Sequence, residues 1–326
     1  MMDTRIAISQ KPPVLLDLEA TYERAIASIA AAAAEGAKLI VFPEAYLPGY
    51  PTWIWRLRPG GDMTLANSLH AKLRRNAVDI SAGGLDRLRE AAVRHGMIVV
   101  MGLNEIDSQC SGSTLYNTVV TIGSDGSILN RHRKLMPTNP ERMVWGFGDA
   151  SGLRVVETPI GRVGSLICWE SYMPLARFAL YAQNIDIYVA PTWDSGETWL
   201  ATMKHIAREG GCWVLSTATA LEAIDIPEDF PDRSKLFAED EWINPGDAVV
   251  VNPFGGVAAG PLHRVKGILY ADLDVDAARA ARRSLDVAGH YGRPDIFRLE
   301  VDRKARLAVH FDDGTHDLEL GRPHMP

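Results

Sequence analysis

Several features that mark common protein classes are missing from this sequence of 326 residues. Its three cysteines, Cys110, Cys168 and Cys212, are odd in number and far apart, so we expect no disulfide framework and a reducing, cytoplasmic location. The net charge of −7 predicts no nucleic-acid partner, and the one basic run, at 131–134, is too short to change that prediction. No basic segment followed by an apolar one opens the chain, so no secretory signal is expected. The longest run of low polarity, at 25–34, is too short to cross a membrane.

Motifs for nucleotide and metal binding are also missing. The sequence has no GxxxxGK[ST] loop and no GxGxxG segment that follows a strand and opens a helix. The run GFGD at 146–149 follows no predicted strand and lacks a third glycine. The nine histidines show no HExxH spacing, and the cysteines form no CxxC pair. We therefore expect neither a metal nor another cofactor.

Apolar strands and amphipathic helices alternate along most of the chain, which predicts an α/β protein with helices covering its strands. The predicted strands are 4–10, 37–44, 97–105, 161–170, 185–193, 212–219, 247–260 and 267–274, with a hairpin over 115–134. The predicted helices are 16–35, about 83–95, one between 170 and 185, and about 197–210. The charged stretch 222–241 is interpreted as an insertion loop, because no linker divides the chain. We expect one catalytic domain over 1–285 and an extension over 286–326.

Cys168 stands out among the cysteines because it ends an apolar strand just before a predicted helix. Ser171 could cap that helix, and Pro174 fits its first turn. The positive end of the helix dipole would lower the pKa of the thiol and favour a nucleophile. The alternative is a small core residue, since free cysteine is often buried. Cys110 lies in a polar loop and Cys212 in a core strand, so neither competes for the role.

Two further charged residues stand where predicted strands end. Glu44 follows the apolar run LIVF, and Lys134 follows the second strand of the hairpin. In open α/β sheets, ligands bind outside the carboxyl ends of the strands. A carboxylate, an ammonium group and the thiol of Cys168 could therefore act as base, electrophile and nucleophile. Considered singly, each residue has a non-catalytic alternative: Glu44 could be a salt-bridge partner, and Lys134 could be a solvated surface charge.

Six segments, in order, resemble the nitrilase branch of the carbon–nitrogen hydrolase superfamily. They are FPEAYLPGYP (42–51), HRKLMPTNPERMVWGFGD (132–149), LICWESYMPLAR (166–177), PTWDSGETW (191–199), HIAREGGCWVLS (205–216) and GHYGRPDIF (289–297). The resemblance extends over nearly the whole chain, to about residue 297. It implies an αββα sandwich, a four-layer α/β fold, that pairs with a second copy. It also implies a homodimer or a larger spiral homo-oligomer, with the extension 286–326 contributing contacts.

The resemblance also implies roles for single residues. Glu44 matches the general base, Lys134 the residue that stabilises the intermediate, and Cys168 the nucleophile. Glu141 matches a second glutamate that positions the substrate and Lys134. Many members of this branch have Asn or His after Cys-Trp-Glu, where this chain has Ser171.

Five residues are expected to contact substrate: Tyr50, Trp53, Thr138, Trp169 and Trp193. The backbone N–H of Trp169 would lie beside the nucleophile, and the aromatic rings would form walls of an apolar pocket. The alternative for the aromatic residues is a place in the core or in a subunit contact.

The predictions for two further residues within the matching segments are less specific. Glu170 is expected to be a structural hydrogen-bond or salt-bridge partner rather than a second base. His290 is expected to be a packing residue, with the alternative that it reaches an active site.

The implied reaction converts a small-molecule nitrile and two waters to a carboxylic acid and ammonia through a thioimidate and a thioester. An amidase, an N-carbamoyl hydrolase or a cyanide dihydratase could use the same three residues. A non-catalytic scaffold is the third possibility, although Glu44, Lys134 and Cys168 are all present. The implied enzyme needs no cofactor, because the protein supplies covalent, acid–base and electrostatic catalysis.

Overall fold

The computed structural model describes residues 3–108 and 111–305, and within them thirteen strands form two sheets flanked by helices. The strands are β1 (Thr4–Ser9), β2 (Leu39–Val41), β3 (Ile98–Ile106), β4 (Leu115–Ile122), β5 (Ile128–Arg133), β6 (Val155–Thr158), β7 (Gly161–Ser165), β8 (Ile187–Pro191), β9 (Trp213–Thr217), β10 (Ala220–Glu222), β11 (Trp242–Val251), β12 (Val257–His263) and β13 (Ile268–Leu273). The helices are α1 (Leu18–Ala34), α2 (Met63–Arg75), α3 (Asp86–His95), α4 (Pro174–Tyr181), α5 (Gly196–Gly210), α6 (Arg233–Leu236) and α7 (Val275–Ser284). None of these helices is long and apolar enough to cross a membrane.

Each sheet has a parallel centre and antiparallel edges. The first sheet has the order β13-β1-β2-β3-β4-β5, in which β1, β2 and β3 are parallel. The second has the order β10-β11-β9-β8-β7-β6, with β12 paired to β11 and with β7, β8 and β9 parallel. The parallel centres include β2 and β7, which precede Glu44 and Cys168, whereas Lys134 follows β5 at an antiparallel edge.

The two sheets pack face to face through alternate residues of their strands. Ile6 and Ile8 of β1 belong to the same buried cluster as Val163 of β7 and Val189 of β8. Ala7, between the two isoleucines, belongs to a different cluster on the outer face of its sheet. This alternation follows from the two-residue period of a strand, which sends successive side chains to opposite faces.

Helices cover the outer face of each sheet. On the first sheet, α1 contributes Ala25 and Ile29 to the outer cluster, and α3 contributes its own apolar face. On the second sheet, Leu180 of α4 and Ile206 of α5 pack in one cluster with Tyr188 of β8. The layers are therefore helix, sheet, sheet and helix. The predicted αββα sandwich is confirmed.

Several predicted strands had bounds that were too wide; β7, for example, ends at Ser165 rather than at residue 170. The segment 247–260 is divided between β11 and β12 by a turn rather than forming a single strand. In that turn Oδ1 of Asn252 accepts hydrogen bonds from the backbone N–H of Phe254, at 2.9 Å, and of Gly256, at 3.1 Å. Gly255 has φ +86°, which favours glycine. The asparagine and the glycines therefore reverse the chain inside an otherwise apolar segment.

The predicted insertion loop at 222–241 is only partly a solvated loop. Phe230 and Phe237 are buried there, and their rings pack edge to face with centroids 5.8 Å apart. Phe230 also packs against Trp53, at 6.0 Å between ring centroids. The segment thus covers the aromatic residues that follow Glu44 in the sequence.

Gly102 allows β3 to approach the turn that carries Glu44. A Cβ at this position would lie 2.1 Å from the carbonyl oxygen of Pro43 and 3.0 Å from Cα of Glu44. Both neighbours are backbone atoms, so neither can move aside as a flexible side chain would. The backbone of Gly102 also accepts a hydrogen bond from the N–H of Leu47, at 3.2 Å. Because Gly102 has no side chain, the turn that carries Glu44 can lie directly against β3.

Replacing Gly102 with alanine is expected to lower the free energy of unfolding by about 1–3 kcal/mol, because the added methyl group overlaps backbone atoms. Thermal unfolding followed by circular dichroism measures the change. Gly61→Ala is the control, because its added Cβ would lie 3.4 Å from the side chain of Arg58, an ordinary contact. Equal midpoints for Gly102→Ala and the wild type would contradict this account of the close approach.

Candidate active site

The ends of three strands bring together the residues expected to be catalytic. Glu44 lies in the turn that follows β2, Lys134 follows β5, and Cys168 follows β7 by three residues. All three are buried, with exposed fractions of 1%, 0% and 4%. The surface-charge alternative for Lys134 is therefore wrong.

A buried ammonium group lies between two carboxylates. Nζ of Lys134 donates hydrogen bonds to Oε1 of Glu44 and to Oε2 of Glu141, both at 2.7 Å. Glu141 reaches this position from a short 3₁₀ helix, Asn139–Met143, which also buries its side chain. The three charges carry a net charge of −1 when all are ionised. Buried charges of this kind persist only when they are paired and hydrogen-bonded.

Glu44 has the environment of a general base. Burial is the largest influence on its carboxyl group and raises the pKa to about 7, although Lys134 acts in the opposite direction. Oε1 is occupied by Lys134 and by Nδ2 of Asn117, which donates at 2.6 Å. Oε2 has no hydrogen-bond partner among the described residues, although it is buried. One oxygen is thus held in place, and the other is free to accept a proton.

Cys168 begins a 3₁₀ helix, Cys168–Tyr172, in a left-handed backbone conformation with φ +52°. Non-glycine residues in this region are strained and often lie at functional sites. Two expectations about its surroundings are wrong. The α-helix begins later, at Pro174, and Ser171 does not cap it, because its hydroxyl group hydrogen-bonds to that of Tyr188 at 3.0 Å.

The pKa of the Cys168 thiol is raised rather than lowered. Burial is the main cause, and the neighbouring charge of Glu44 adds to it, while Lys134 acts in the opposite direction. The helix-dipole argument was wrong because the 3₁₀ turn separates the thiol from the first turn of α4. The resting thiol is therefore protonated, and its ionisation needs a base.

Two polar residues at the site escaped the sequence analysis. Asn117 lies in the apolar strand β4 and bonds Glu44, as described above. Thr192 follows β8, and a hydrogen bond from its hydroxyl group lowers the pKa of Cys168. The same hydroxyl accepts the backbone N–H of Asp194 at 2.9 Å. A polar residue inside or at the end of an apolar strand was the signal that could have identified both.

Glu170 joins the segments that carry the ammonium group and the thiol. Its carboxylate accepts the backbone N–H of Leu135 at 2.7 Å and that of Ile167 at 2.6 Å. Nε2 of His132 lies 3.0 and 3.1 Å from the two oxygens of the same carboxylate. Leu135 follows Lys134 and Ile167 precedes Cys168, so the Glu170 carboxylate links the two segments at the site. They agree with the structural role expected for Glu170.

The aromatic residues expected to line a pocket divide into two groups. The rings of Tyr50 and Trp193 stack with centroids 4.2 Å apart and an interplanar angle of 3°, and Trp145 meets Tyr50 edge to face. The hydroxyl group of Tyr50 donates to Oε1 of Glu141 at 2.7 Å, so this group adjoins the catalytic residues. Trp53 belongs to the other group, because it packs against Phe230.

Thr138 and Trp169 lie beside the catalytic residues in the chain. The backbone N–H of Thr138 donates to Oε2 of Glu141 at 2.7 Å. The indole of Trp169 is 46% exposed, and its N–H donates to Asp194 at 2.8 Å. Contact of either residue with substrate stays a prediction, as it does for Tyr50, Trp53 and Trp193.

The remaining candidates lie elsewhere. Cys212 is a second buried free thiol, in the cluster between the second sheet and its helices, and Cys110 lies outside the described residues. His290 is exposed and its ring contacts that of Tyr291. Over residues 3–108 and 111–305, no group of three or more His, Cys, Asp or Glu side chains is arranged to hold a metal ion.

Comparisons with known proteins show the family of the chain. The family model for carbon-nitrogen hydrolases matches residues 5–283. An aliphatic nitrilase of Sinorhizobium fredii is 43% identical over 310 residues, which cover 95% of this chain and 99% of that protein. The bifunctional nitrilase/nitrile hydratase NIT4A of Lupinus angustifolius is 39% identical over 320 residues, covering 97% of this chain and 90% of that one.

A solved structure of the same superfamily shares the fold. The crystal structure of Nit3 of Saccharomyces cerevisiae, a member of the nitrilase superfamily, aligns with a TM-score of 0.69 and 19% identity. The alignment covers 89% of this chain and 97% of that one. The resemblance noted in the sequence is thereby confirmed over nearly the whole length of the chain. The chain belongs to the carbon-nitrogen hydrolase family.

Proposed function

We propose that the protein hydrolyses a nitrile and two waters to a carboxylic acid and ammonia, with Cys168 as the nucleophile. The observation that carries this proposal is the buried ammonium group of Lys134, which joins Glu44 to Glu141 beside a buried thiol. Relatives named as nitrilases, 39–43% identical over most of the chain, support the same reaction.

The first half of the reaction forms a covalent intermediate. Glu44 takes the proton of the Cys168 thiol, and the sulfur attacks the nitrile carbon. Negative charge develops on the nitrile nitrogen, where Lys134 stabilises it. The proton that Glu44 took from the thiol then passes to that nitrogen, which completes the thioimidate and leaves Glu44 ionised. Transfer of the thiol proton to Glu44 leaves the net charge of the buried group unchanged. This first step therefore costs no additional buried charge.

The second half releases the products. Water activated by Glu44 adds to the thioimidate and forms a tetrahedral adduct that carries the nitrogen as an amine. Ammonia departs and leaves a thioester, which a second water hydrolyses to the carboxylic acid and the free thiol. If the adduct expels the thiolate instead, the product is the amide. The relatives named as bifunctional nitrilase/nitrile hydratases support a minor amide product here as well.

Aliphatic nitriles are the proposed substrate class. A relative at 43% identity is named an aliphatic nitrilase. The stacked rings of Tyr50 and Trp193 provide an apolar wall next to Glu141, which suits a hydrocarbon substituent.

Ammonia release from a panel of aliphatic, aromatic and arylaliphatic nitriles, with the matched amides and free cyanide, tests the proposal. Wild type is expected to release ammonia from nitriles, and Cys168→Ala is expected to release none. Cys212→Ala is the matched control, because it removes the other buried thiol without touching the site, and it should retain activity. Release from amides alone would instead assign the amidase reaction, and release from cyanide alone the cyanide dihydratase reaction.

The pH dependence of kcat/KM tests the role of Glu44. The carboxyl must be ionised to accept the thiol proton, and its pKa is about 7, so kcat/KM should fall as the pH drops below that value. In Asn117→Ala the loss of a hydrogen bond that lowers this pKa should move the acid limb to higher pH. Asn130→Ala removes an amide on β5 that bonds Gly152 instead, and the limb should stay in place. An unmoved limb in Asn117→Ala would argue against Glu44 as the base.

The proposed partners are a small nitrile and further copies of the same chain. Apolar side chains are exposed after the nucleophile, at Tyr172, Met173 and Leu175. Others are exposed in the extension, among them Phe297. Exposed apolar surface of this kind marks association sites, and the extension over 286–326 is proposed to contribute to them. The proposed compartment is the reducing cytoplasm, because the nucleophile must remain a free thiol.

Size-exclusion chromatography with light scattering tests this association. The wild type is expected to be larger than the 35.8 kDa of one chain. Leu175→Glu should shift the mass towards the monomer, because a charge in a buried contact is costly. Lys38→Glu, which changes an exposed charge outside the proposed contacts, serves as the control and should leave the mass unchanged. A wild-type protein that elutes only as a monomer would contradict the proposal.

A further inference from the structure

Tyr50 makes a contact with the catalytic group that its place in an aromatic wall does not explain. Its hydroxyl group donates a hydrogen bond to Oε1 of Glu141 at 2.7 Å and accepts one from the indole N–H of Trp55 at 3.0 Å. Tyr50 is buried, whereas Trp55 is 47% exposed. A chain of two hydrogen bonds thus extends from a half-exposed indole to the second carboxylate of the site.

The chemistry of the donors fixes the direction of this chain. An indole N–H can only donate, so the oxygen of Tyr50 must be the acceptor of that bond. The single hydroxyl proton of Tyr50 is then left for Glu141. Burial and the charge of Glu141 both raise the pKa of Tyr50, so the hydroxyl keeps its proton. The bond from Trp55 therefore helps to hold the tyrosine hydroxyl in the orientation that donates to Glu141.

The orientation of Glu141 depends on groups at both of its oxygens. Oε1 accepts from Tyr50, while Oε2 accepts from Nζ of Lys134 and from the backbone N–H of Thr138, each at 2.7 Å. Without the bond from Tyr50, the carboxylate could rotate about its long axis. Such a rotation would displace Oε2 and with it the ammonium group of Lys134, which also bonds Glu44.

We propose that Trp55 and Tyr50 act in series as positioning residues, which hold the Glu141 carboxylate and through it the Lys134 ammonium group in the reactive arrangement. This inference rests on the proposed function, because it assigns the two residues to the step that Lys134 assists. It predicts an effect on kcat, since a misplaced ammonium group stabilises the developing charge less well. If Tyr50 served only as a wall, loss of its hydroxyl group would change KM instead.

A double-mutant cycle with Tyr50→Phe and Trp55→Phe tests the series. Both substitutions keep an aromatic ring, and Tyr50→Phe keeps the stacking against Trp193. Tyr50→Phe should lower kcat by about 10- to 100-fold, the usual effect of losing a hydrogen bond to a charged group. Trp55→Phe should lower kcat by less, about 3- to 10-fold, because the hydroxyl group keeps its proton but loses its fixed direction. The double variant should equal Tyr50→Phe, because Trp55 acts only through Tyr50.

Tyr46→Phe is the matched control. Tyr46 lies in the same segment and is fully buried, but its hydroxyl group has no hydrogen-bond partner in the described part of the chain, and its ring belongs to the outer core cluster. Loss of this hydroxyl group should leave kcat and KM unchanged. Thermal unfolding of every variant checks that the native fold is kept. Trp55, being half exposed, can be changed without opening the core, so the cycle does not depend on Tyr50→Phe alone.

Two results would overturn the series. A raised KM with unchanged kcat in Tyr50→Phe would make the residue a substrate wall, and multiplicative losses in the double variant would make the two residues independent.

Alkylation of Cys168 by iodoacetamide, followed by mass spectrometry of its peptide, separates this test from that of the proposed function. Alkylation needs the thiolate that Lys134 stabilises but needs no nitrile turnover. The same non-additive pattern in the alkylation rates would support the series even if nitriles were not hydrolysed, and equal rates in all variants would contradict it.

Discussion

The site depends on one interaction, the burial of the Lys134 ammonium group between the carboxylates of Glu44 and Glu141. Breaking a buried ion pair by removing one partner costs about 3–5 kcal/mol, because the remaining charge stays buried and unpaired. The three side chains therefore require one another, and each comes from a different segment of the chain. This mutual dependence fixes the ends of β2 and β5 and the short helix of Glu141 relative to one another, before any substrate is present.

Close backbone contacts make this burial possible. Gly102 lets β3 lie against the turn of Glu44, and Gly148 does the same for the loop beside β5, where a Cβ would lie 2.2 Å from the carbonyl oxygen of Arg133. The run GFGD, which lacks the glycine pattern of a nucleotide-binding loop, thus has a packing role next to Lys134. Glu170 adds a polar link between the same strand end and the turn of the nucleophile. Close backbone packing and the buried carboxylate of Glu170 together hold the segments of Lys134 and Cys168 in place.

The electrostatics of the site favour proton transfer over a preformed thiolate. Burial raises the pKa of both Cys168 and Glu44, while the ammonium group of Lys134 lowers both. The thiol therefore stays protonated at rest, and Glu44, with a pKa of about 7, can accept its proton near neutral pH. Once the proton has moved, the thiolate lies beside Lys134 and the hydroxyl group of Thr192. In the proposed reaction, such burial keeps the thiol unreactive until a base and a substrate are both in place.

The sequence by itself determined an α/β protein with helices over its strands, and the resemblance of its motifs added the family, the αββα layers and the roles expected for Glu44, Lys134, Glu141 and Cys168. Strand and helix periods and the spacing of motifs are local, so they can be recognised without the fold. Only the tertiary structure decided that Asn117 touches Glu44 and Thr192 touches Cys168, that Tyr50 donates to Glu141, and that Trp53 packs against Phe230. It also decided the sign of the shift in the pKa of Cys168, which local reasoning from a helix end had reversed. Contacts between distant segments and the burial of a charge depend on how the layers pack, and no single stretch of the sequence contains that information.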